Sequence, residues 1–480
     1  MKIPGFFLIS LIPVIISGCG PKPDRSVLLN NFDRNFENGK FQTAAEMADS
    51  LVRLFPDDKY LAGRTDSLLQ IAERISLDFP VTEEQFINKL ENYNLTFNDS
   101  LLNVWYKKKW LEWRIINGEK KYFNRSASNL MLLKLFYEDN ERQILETGRD
   151  PEMISRLEHT WKVMNVSKNN ANPVCPVNMA ITYTITVDAD VLPDGEIIRC
   201  WMPWPKSNHP RQQKIELLSV SDKDFIIAPD SALHSSIYIE ERSLKGIETI
   251  FRVSFSYQSS AQYANMKSLK PEPYDKESSL FKKYTSEELP QICFTDNVKS
   301  LADSLTSPDD DPAEIVKKIY LWFKGNIPWT GALEYSTMPN IPEYVYKNRR
   351  GDCGMQTFMF MSMLRYKGVP VRWQSGWKVP PDHKNLHDWC EVYYEGAGWI
   401  PADVSYDLQF TDNKALKEFY LSGIDSYRLI VNDGVAGPLY PEKQHLRSEP
   451  FDFQRGEVEW NGGNLYFDKW DYEMEIEYLD

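Results

Sequence analysis

The chain has 480 residues, 55 Lys and Arg against 69 Asp and Glu, and a formal net charge of −14. That length suits about two to four domains with substantial cores, and the acidic balance argues against a nucleic-acid partner. Aromatic residues make up 13% of the chain, 14 of them Trp, which fits large cores; a ring-lined sugar or peptide surface is the other reading.

Residues 1–18 read as a targeting segment. Lys2 gives a short positive region, and Phe6 to Ile16 an apolar stretch too short for a good membrane span. Ile16-Ser17-Gly18-Cys19 resembles a bacterial lipobox. That resemblance implies cleavage before Cys19, lipidation of Cys19, and a protein held to a membrane of the cell envelope outside the cytoplasm. Residues 19–28, with Gly20-Pro21-Lys22-Pro23-Asp24, suit a tether, and no later segment is apolar enough to span a bilayer.

Residues 29–165 read as helical. Ala44, Ala45, Ala48, Leu51 and Leu54 follow Asn38-Gly39-Lys40-Phe41, as in one tetratricopeptide-like helix pair, without further repeats of fixed period. Thr82 with Gln85 is a capping-box pattern. Trp105, Tyr106, Trp110 and Trp113 are expected on one long helix, packing against its neighbours rather than forming a face for an unidentified protein partner.

From 172 to 263 the period becomes two. Ile181, Tyr183, Ile185 and Val187 alternate with threonines, and Phe251, Val253, Phe255 and Tyr257 with Arg252, Ser254 and Ser256. Short strands with turns between them predict an antiparallel sandwich. Pro203 and Pro205 around Trp204 suggest an irregular edge.

Residues 280–432 carry the chemistry. Asp311-Pro312 opens a helix with Ile315, Ile319, Trp322 and Phe323 on its buried face. The loop Asn326 to Pro342 offers Trp329 and Tyr335 as cleft candidates. Gly351-Asp352-Cys353-Gly354 then leads into Met355, Phe358, Met361 and Leu364 at helical spacing. Asp352 is a plausible N-cap, which puts Cys353 in a first turn, where the helix dipole favours a thiolate and free N–H groups suit an oxyanion. His387-Asp388-Trp389-Cys390-Glu391-Val392-Tyr393 reads as a strand. His387, Trp389 and Glu391 share one face and Asp388, Cys390 and Val392 the other, which makes Cys390 the poorer nucleophile. After Glu395-Gly396-Ala397-Gly398, the strand Trp399-Ile400-Pro401-Ala402 returns and brings Asp403 beside His387. A thiol, a base and a group that orients the base are thus in hand. His383 lies in a polar loop with no companion ligand set and is read as solvated. Tyr427 to Val431 is a further core strand. Residues 433–480 form a C-terminal β extension, with a hairpin around Asn461-Gly462-Gly463 and a last strand through Met474, Ile476 and Tyr478; it is either a small cap or an extension of the sandwich.

The blocks G-D-C-G, H-D-W-C-E-V-Y and G-W-I-P-A-D, in that order, resemble the transglutaminase-like core of the papain-like cysteine enzymes over roughly residues 290–430. The resemblance implies a multidomain α+β chain whose core is a Cys-bearing helix on an antiparallel sheet, and a triad of Cys353, His387 and Asp403. It implies attack on an amide or isopeptide bond of a protein or peptide through a thioester, with no cofactor or metal required. It also implies an aromatic or amide donor upstream of the Cys to complete the oxyanion hole, for which Trp329 is the candidate; the Cys353 N–H is the safer donor. Hydrolysis is favoured over amine transfer, because transfer needs exclusion of water. Relatives that have lost activity make an inactive binding or scaffold lipoprotein the alternative. With Cys19 lipidated and Cys353 the nucleophile, Cys175, Cys200, Cys293 and Cys390 remain; a Cys175–Cys200 disulfide and buried free thiols are equally open.

Overall fold

The structure, a computed structural model, describes residues 24–138, 151–167, 171–381, 383–406 and 411–479. The expected leader, Cys19 and the tether up to Pro23 lie outside the described residues. Among the described residues no helix is long and apolar enough to cross a membrane.

Two compact units are present. The first holds residues up to Glu73 together with Ile115–Lys120. Its helices Arg25–Glu37 and Phe41–Leu54 form the pair read from the alanine pattern: Ala44, Ala48 and Leu51 bury with Phe32 and with Leu61 of the next helix, Lys59–Asp78. At Gly39, φ is +69° and a Cβ would stand 2.1 Å from the Ile115 carbonyl oxygen, so only glycine fits.

The second unit holds Arg74–Arg114 and everything from Lys121 onward. Thr82 and Gln85 close both arms of the capping box on the helix Glu83–Asn92. The expected long helix through Trp113 is not what forms. The helix Asp99–Lys107 ends, Lys109 takes φ +57°, and Trp113 opens strand β1 (Trp113–Ile116), which turns into β2 (Glu119–Tyr122). Asn117-Gly118, both at positive φ, is the hairpin signal that overrides helical spacing there. Trp105 and Trp110 pack with Tyr122 and Leu130, while Trp113 is 43% exposed.

The sandwich strands are β3 (Val174–Val187), β4 (Ile197–Pro203), β5 (Gln212–Val220), β6 (Phe225–Ile227), β7 (Ser236–Arg242) and β8 (Thr249–Tyr263). The core sheet contributes β9 (Val371–Lys378), β10 (Asn385–Tyr394), β11 (Gly398–Ala402) and β13 (Arg428–Asn432), in the order β11-β10-β9-β13, all antiparallel; the short β12 (Gly423–Ile424) joins β8 instead. The last strands, β14 (Glu457–Trp460), β15 (Gly463–Leu465) and β16 (Trp470–Leu479), return to the sandwich: β16 pairs with β3 and β14 with β4. The C-terminal segment is therefore an extension of the sandwich rather than a separate cap. β4 lies between β14 and β7, so it is an inner strand; Pro203 is its last residue, not a mark of an edge. Cys175 and Cys200 are both free thiols.

Asp311 caps the helix Pro312–Asn326 with Glu314 completing the box. The helix Cys353–Tyr366 is buried at every residue from Cys353 to Arg365, which is why its apolar residues show no single stripe. It lies on one face of β9 and β10, where Phe358 stacks on Trp373 with ring centroids 4.3 Å apart. On the other face Trp389 packs with Ile424 and Ile430. There Glu391 meets Arg211 and His209 from the β4–β5 connection. Strands covered on both sides read as near-continuous apolar runs.

Trp373 joins helix to sheet, so Trp373→Ala is expected to cost about 3–5 kcal/mol, read as a lowered urea midpoint of the unit's unfolding transition.

Candidate active site

The turn before Cys353 is built by side-chain caps. Asp352 Oδ1 accepts the Met355 N–H at 3.0 Å and the Tyr335 hydroxyl at 2.6 Å. Cys353 sits in the first turn, as expected from the sequence, where N–H groups lack intrahelical acceptors. A Cβ on Gly354 would come within 2.2 Å of the Tyr335 hydroxyl and 2.7 Å of Asp388 Oδ2, so the close approach of helix to strand requires glycine.

The base and its orienter are joined. β10 and β11 pair with Cys390 opposite Ala402, which leaves Asp403 one residue beyond the ladder, and its Oδ2 lies 2.6 Å from His387 Nε2. The same oxygen accepts from Arg428 Nη1 at 3.2 Å, while Oδ1 accepts from the Ser405 N–H and hydroxyl and the Tyr406 N–H. Burial opposes ionisation of Asp403, but His387 and Arg428 outweigh it and bring the carboxyl down to about 2. A lowered carboxyl stabilises the fold above its ordinary pKa, and that contribution is lost as pH falls toward 2. Burial lowers the His387 pKa; Asp403 works against this and Arg428 with it. Bonding to an ionised carboxylate places the proton on Nε2 and leaves Nδ1 as the lone-pair nitrogen.

Cys353 is not bonded to that imidazole. Its Sγ donates to Asp388 Oδ2 at 3.2 Å. Neighbours on a strand leave on opposite faces, and the helix bearing Cys353 covers the face of Asp388 and Cys390. His387 leaves on the face of Trp389, packed against Tyr406 with centroids 5.4 Å apart. Alternation thus holds as read, but it separates the thiol and the ring across the strand. The expected thiolate is not favoured in this arrangement: burial, then the carboxylates of Asp388 and Asp352, push the thiol well above its ordinary pKa.

Asp388 belongs to a second buried cluster. Gln454 donates from its side-chain amide to Asp388 Oδ1, at 2.9 Å, and to the carbonyls of Gly376 and His387. Asp452 Oδ1 accepts from Asn432 at 2.9 Å and from the Ser375 hydroxyl. Burial raises both Asp388 and Asp452; the two carboxyls are hydrogen-bonded to each other, which raises Asp388 further and works against the rise of Asp452. Asp352 is pushed up to about 6 by burial.

A cavity of about 260 Å³ opens beside Cys353, with Trp329, Tyr335, Leu386, Asp388, Asp452 and Gln454 in its wall. Trp329 is 42% exposed and lines this cavity. The loop that carries it is fixed by Asn129, whose side chain both donates to the Gly331 carbonyl and accepts its N–H, each at 2.8 Å. Sequence reasoning did not single out Asp452, Gln454, Arg428 or Asn129 for this site. Each comes from a segment remote in sequence, with no local pattern. Asp388 stood inside the motif but was assigned only a face.

The arrangement can now be set beside known proteins. Residues 299–404 match the sequence model of the Transglutaminase-like superfamily. The chain is 24% identical over 124 residues to the uncharacterised protein YebA of Bacillus subtilis (strain 168), covering 22% of this chain and 17% of that relative. It thus spans only about a sixth of that relative's length. Among solved structures it is similar to a candidate cysteine protease from Cytophaga hutchinsonii, at 13% identity and TM-score 0.41, covering 64% of this chain and 92% of the other. It is also similar to the periplasmic domain of TgpA from Pseudomonas aeruginosa, at 15% identity and TM-score 0.23, covering 47% and 87%. Cys353, His387 and Asp403 all fall inside the segment, residues 299–404, that matches the Transglutaminase-like superfamily model.

Proposed function

We propose that the chain is a membrane-anchored cysteine enzyme of the bacterial cell envelope that cleaves amide or isopeptide bonds of proteins or peptides. The observation that carries this reading is the His387–Asp403 pair at 2.6 Å, on the strand against which the Cys353 helix packs. The Cys353 S–H proton passes to Nδ1 of His387, and the sulfur attacks the carbonyl carbon. N–H groups at the helix start hold the oxyanion. The C–N bond breaks, the amine leaves with the proton from His387, and a thioester remains. Water then gives its proton to His387 and attacks the thioester, releasing the acid and restoring the thiol. Asp403 holds the ring and stabilises the imidazolium, and Arg428 holds Asp403. This sequence requires Sγ to leave Asp388 and approach the ring when substrate enters. Anchoring rests on Ile16-Ser17-Gly18-Cys19.

The bond from Cys353 to Asp388 favours a second reading, a core that binds peptides without turning them over. Alkylation separates the two. Without substrate, iodoacetamide is expected to label Cys353 slowly near pH 7 and faster only toward alkaline pH. Asp388→Asn removes a negative neighbour and is expected to speed labelling about tenfold or more. Fast labelling of the native protein that His387→Ala abolishes would show a thiol–imidazole pair already formed at rest. With an amide substrate found by peptide screening, Cys353→Ala or His387→Ala is expected to lower turnover at least about a thousandfold; unchanged turnover would remove the triad. Cys19→Ala is expected to move the protein from the membrane to the soluble fraction, and continued membrane association would refute the lipid anchor.

A further inference from the structure

We infer that Asn129 and Glu112, from the segment that precedes the sandwich, are positioning residues for the reaction: they hold the two loops that flank Cys353 on its oxyanion side. This rests on the enzyme reading above for what the loops do in catalysis, but not for the holding itself.

The two loops meet beside the thiol. Trp329 pairs with Gly351 in a parallel bridge, and the Thr330 N–H donates to the Gly351 carbonyl at 3.1 Å. Tyr335 ties the far end of the first loop to Asp352 through its hydroxyl, at 2.6 Å. Trp329, Tyr335, Asp352 and Cys353 all line the cavity. A shift of either loop therefore shifts the wall next to Sγ.

Each loop is gripped from outside the core. On the first, Asn129 takes both backbone groups of Gly331, donating to the carbonyl and accepting the N–H, each at 2.8 Å, as a strand partner would. Three residues on, Asp78 Oδ2 accepts the Glu334 N–H at 3.0 Å. On the second, Arg350 donates to the Lys109 carbonyl and, at 3.2 Å, to Glu112 Oε2. The Tyr344 hydroxyl bonds the same carboxylate, at 2.8 and 2.7 Å. Glu112 is itself anchored: its N–H donates to Ser126 Oγ at 3.2 Å, and its carbonyl accepts the Phe123 N–H at 3.0 Å. One segment thus grips both loops.

Packing alone does not account for these side chains. Asn129 is 3% exposed, on the helix Ser126–Glu138 beside buried Leu130 and Leu133. Asn is a weak helix former, and an apolar side chain would fill such a position better. Its buried amide is tolerated because the two backbone groups of Gly331 satisfy it. A Cβ at Gly331 would press on Arg125 Cδ at 2.5 Å and on Asn129 Oδ1 at 3.3 Å, so the loop lies close against the helix. Arg350 is also 3% exposed, and Glu112 supplies its counter-charge. Neither Asn129 nor Glu112 lines the cavity, so both act through the loops. Acyl transfer is sensitive to such holding, since a misplacement of about 1 Å at the reacting groups costs about a hundredfold. Alkylation at a saturated carbon forms no oxyanion and lacks that sensitivity.

The test uses the full chain in mild detergent and two electrophiles for Cys353. Iodoacetamide alkylates the sulfur at a saturated carbon. With 4-nitrophenyl acetate the S–C bond forms at a carbonyl through an oxyanion, the ester C–O bond breaks, the thiol proton goes to His387 and 4-nitrophenolate leaves; Cys353→Ala gives the background. Asn129→Ala is expected to lower acylation about tenfold or more while alkylation stays within about twofold. Glu112→Gln keeps an oxygen for Tyr344 and loses the charge that faces Arg350. It is expected to act in the same direction, and it carries the comparison should Asn129→Ala fail to fold. Leu130→Ala removes packing from the cluster of Trp105 and Tyr122 on the same helix, and is expected to leave the ratio of the two rates unchanged. Hydrogen exchange is followed on the same proteins, and amides of residues 329–335 are expected to exchange about tenfold or more faster in Asn129→Ala than in Leu130→Ala. Unchanged acylation in a folded Asn129→Ala overturns the inference, whatever the loop's exchange. An equal fall in both rates, or a ratio that Leu130→Ala moves as far, assigns the effect to general loosening and overturns it as well. If the native protein is not acylated above background, the enzyme reading falls; loop exchange that rises only in Asn129→Ala then leaves the holding role standing, and exchange that does not rise removes both.

Discussion

The constraint on which this site depends is the alternation of a single strand. His387 and Asp388 are consecutive in β10 and must look to opposite faces of the sheet. One face received the Cys353 helix and the other the loops that follow β11. Which neighbour meets the thiol was decided there. Asp388 is bonded to Sγ at 3.2 Å, and His387 is bonded to Asp403 at 2.6 Å. Gly354 permits the first contact, since a side chain at that position would strike both Tyr335 and Asp388.

The two faces differ in how they handle charge. Behind His387, charges come in matched sets: Arg428 lies between Asp403 and Asp425, and Glu391 between Arg372 and Arg211. Each charged group there has an opposite partner, so the ring sits in a fixed, fully bonded frame. In front of Cys353, Asp352 is bonded by the Tyr335 hydroxyl and the Met355 N–H and Asp388 by the Gln454 amide, all neutral donors, and the thiol is pushed toward its protonated form. A rigid base and a damped nucleophile on two sides of one strand describe an arrangement at rest.

Much of this was legible in the sequence because it is local. The N-cap at Asp352, the capping boxes at Thr82 and Asp311, and the pairing of β10 with β11 through a Gly-rich turn are all short-range signals. The place of Asp403 beside His387 followed from that hairpin. Two things misled. Helical spacing of Trp105 to Trp113 looked continuous, and the weight of Asn117-Gly118 as a hairpin turn went unread. Alternation along β10 was read correctly, but sequence alone does not say which face a helix will cover, since that depends on packing such as Phe358 on Trp373. Arg428, Asp452 and Gln454 reach the site from remote segments, and no spacing rule links them to it.

The return of the C-terminal segment has a consequence for assembly. β16 pairs with β3 across most of the chain's length, β14 adds to β4, and between β13 and β14 the chain delivers Asp452 and Gln454 to the wall around Cys353. A ribosome releases these pieces after the helix and strands β9 to β13. The helix, β9 to β11 and the His387–Asp403 contact have all their residues in hand while both sandwich sheets still lack strands and the thiol stands beside an open gap. The wall beside Cys353 is thus closed by a stretch made after the helix and the core sheet, and a chain that stops short of it presents Cys353 without Asp452 and Gln454.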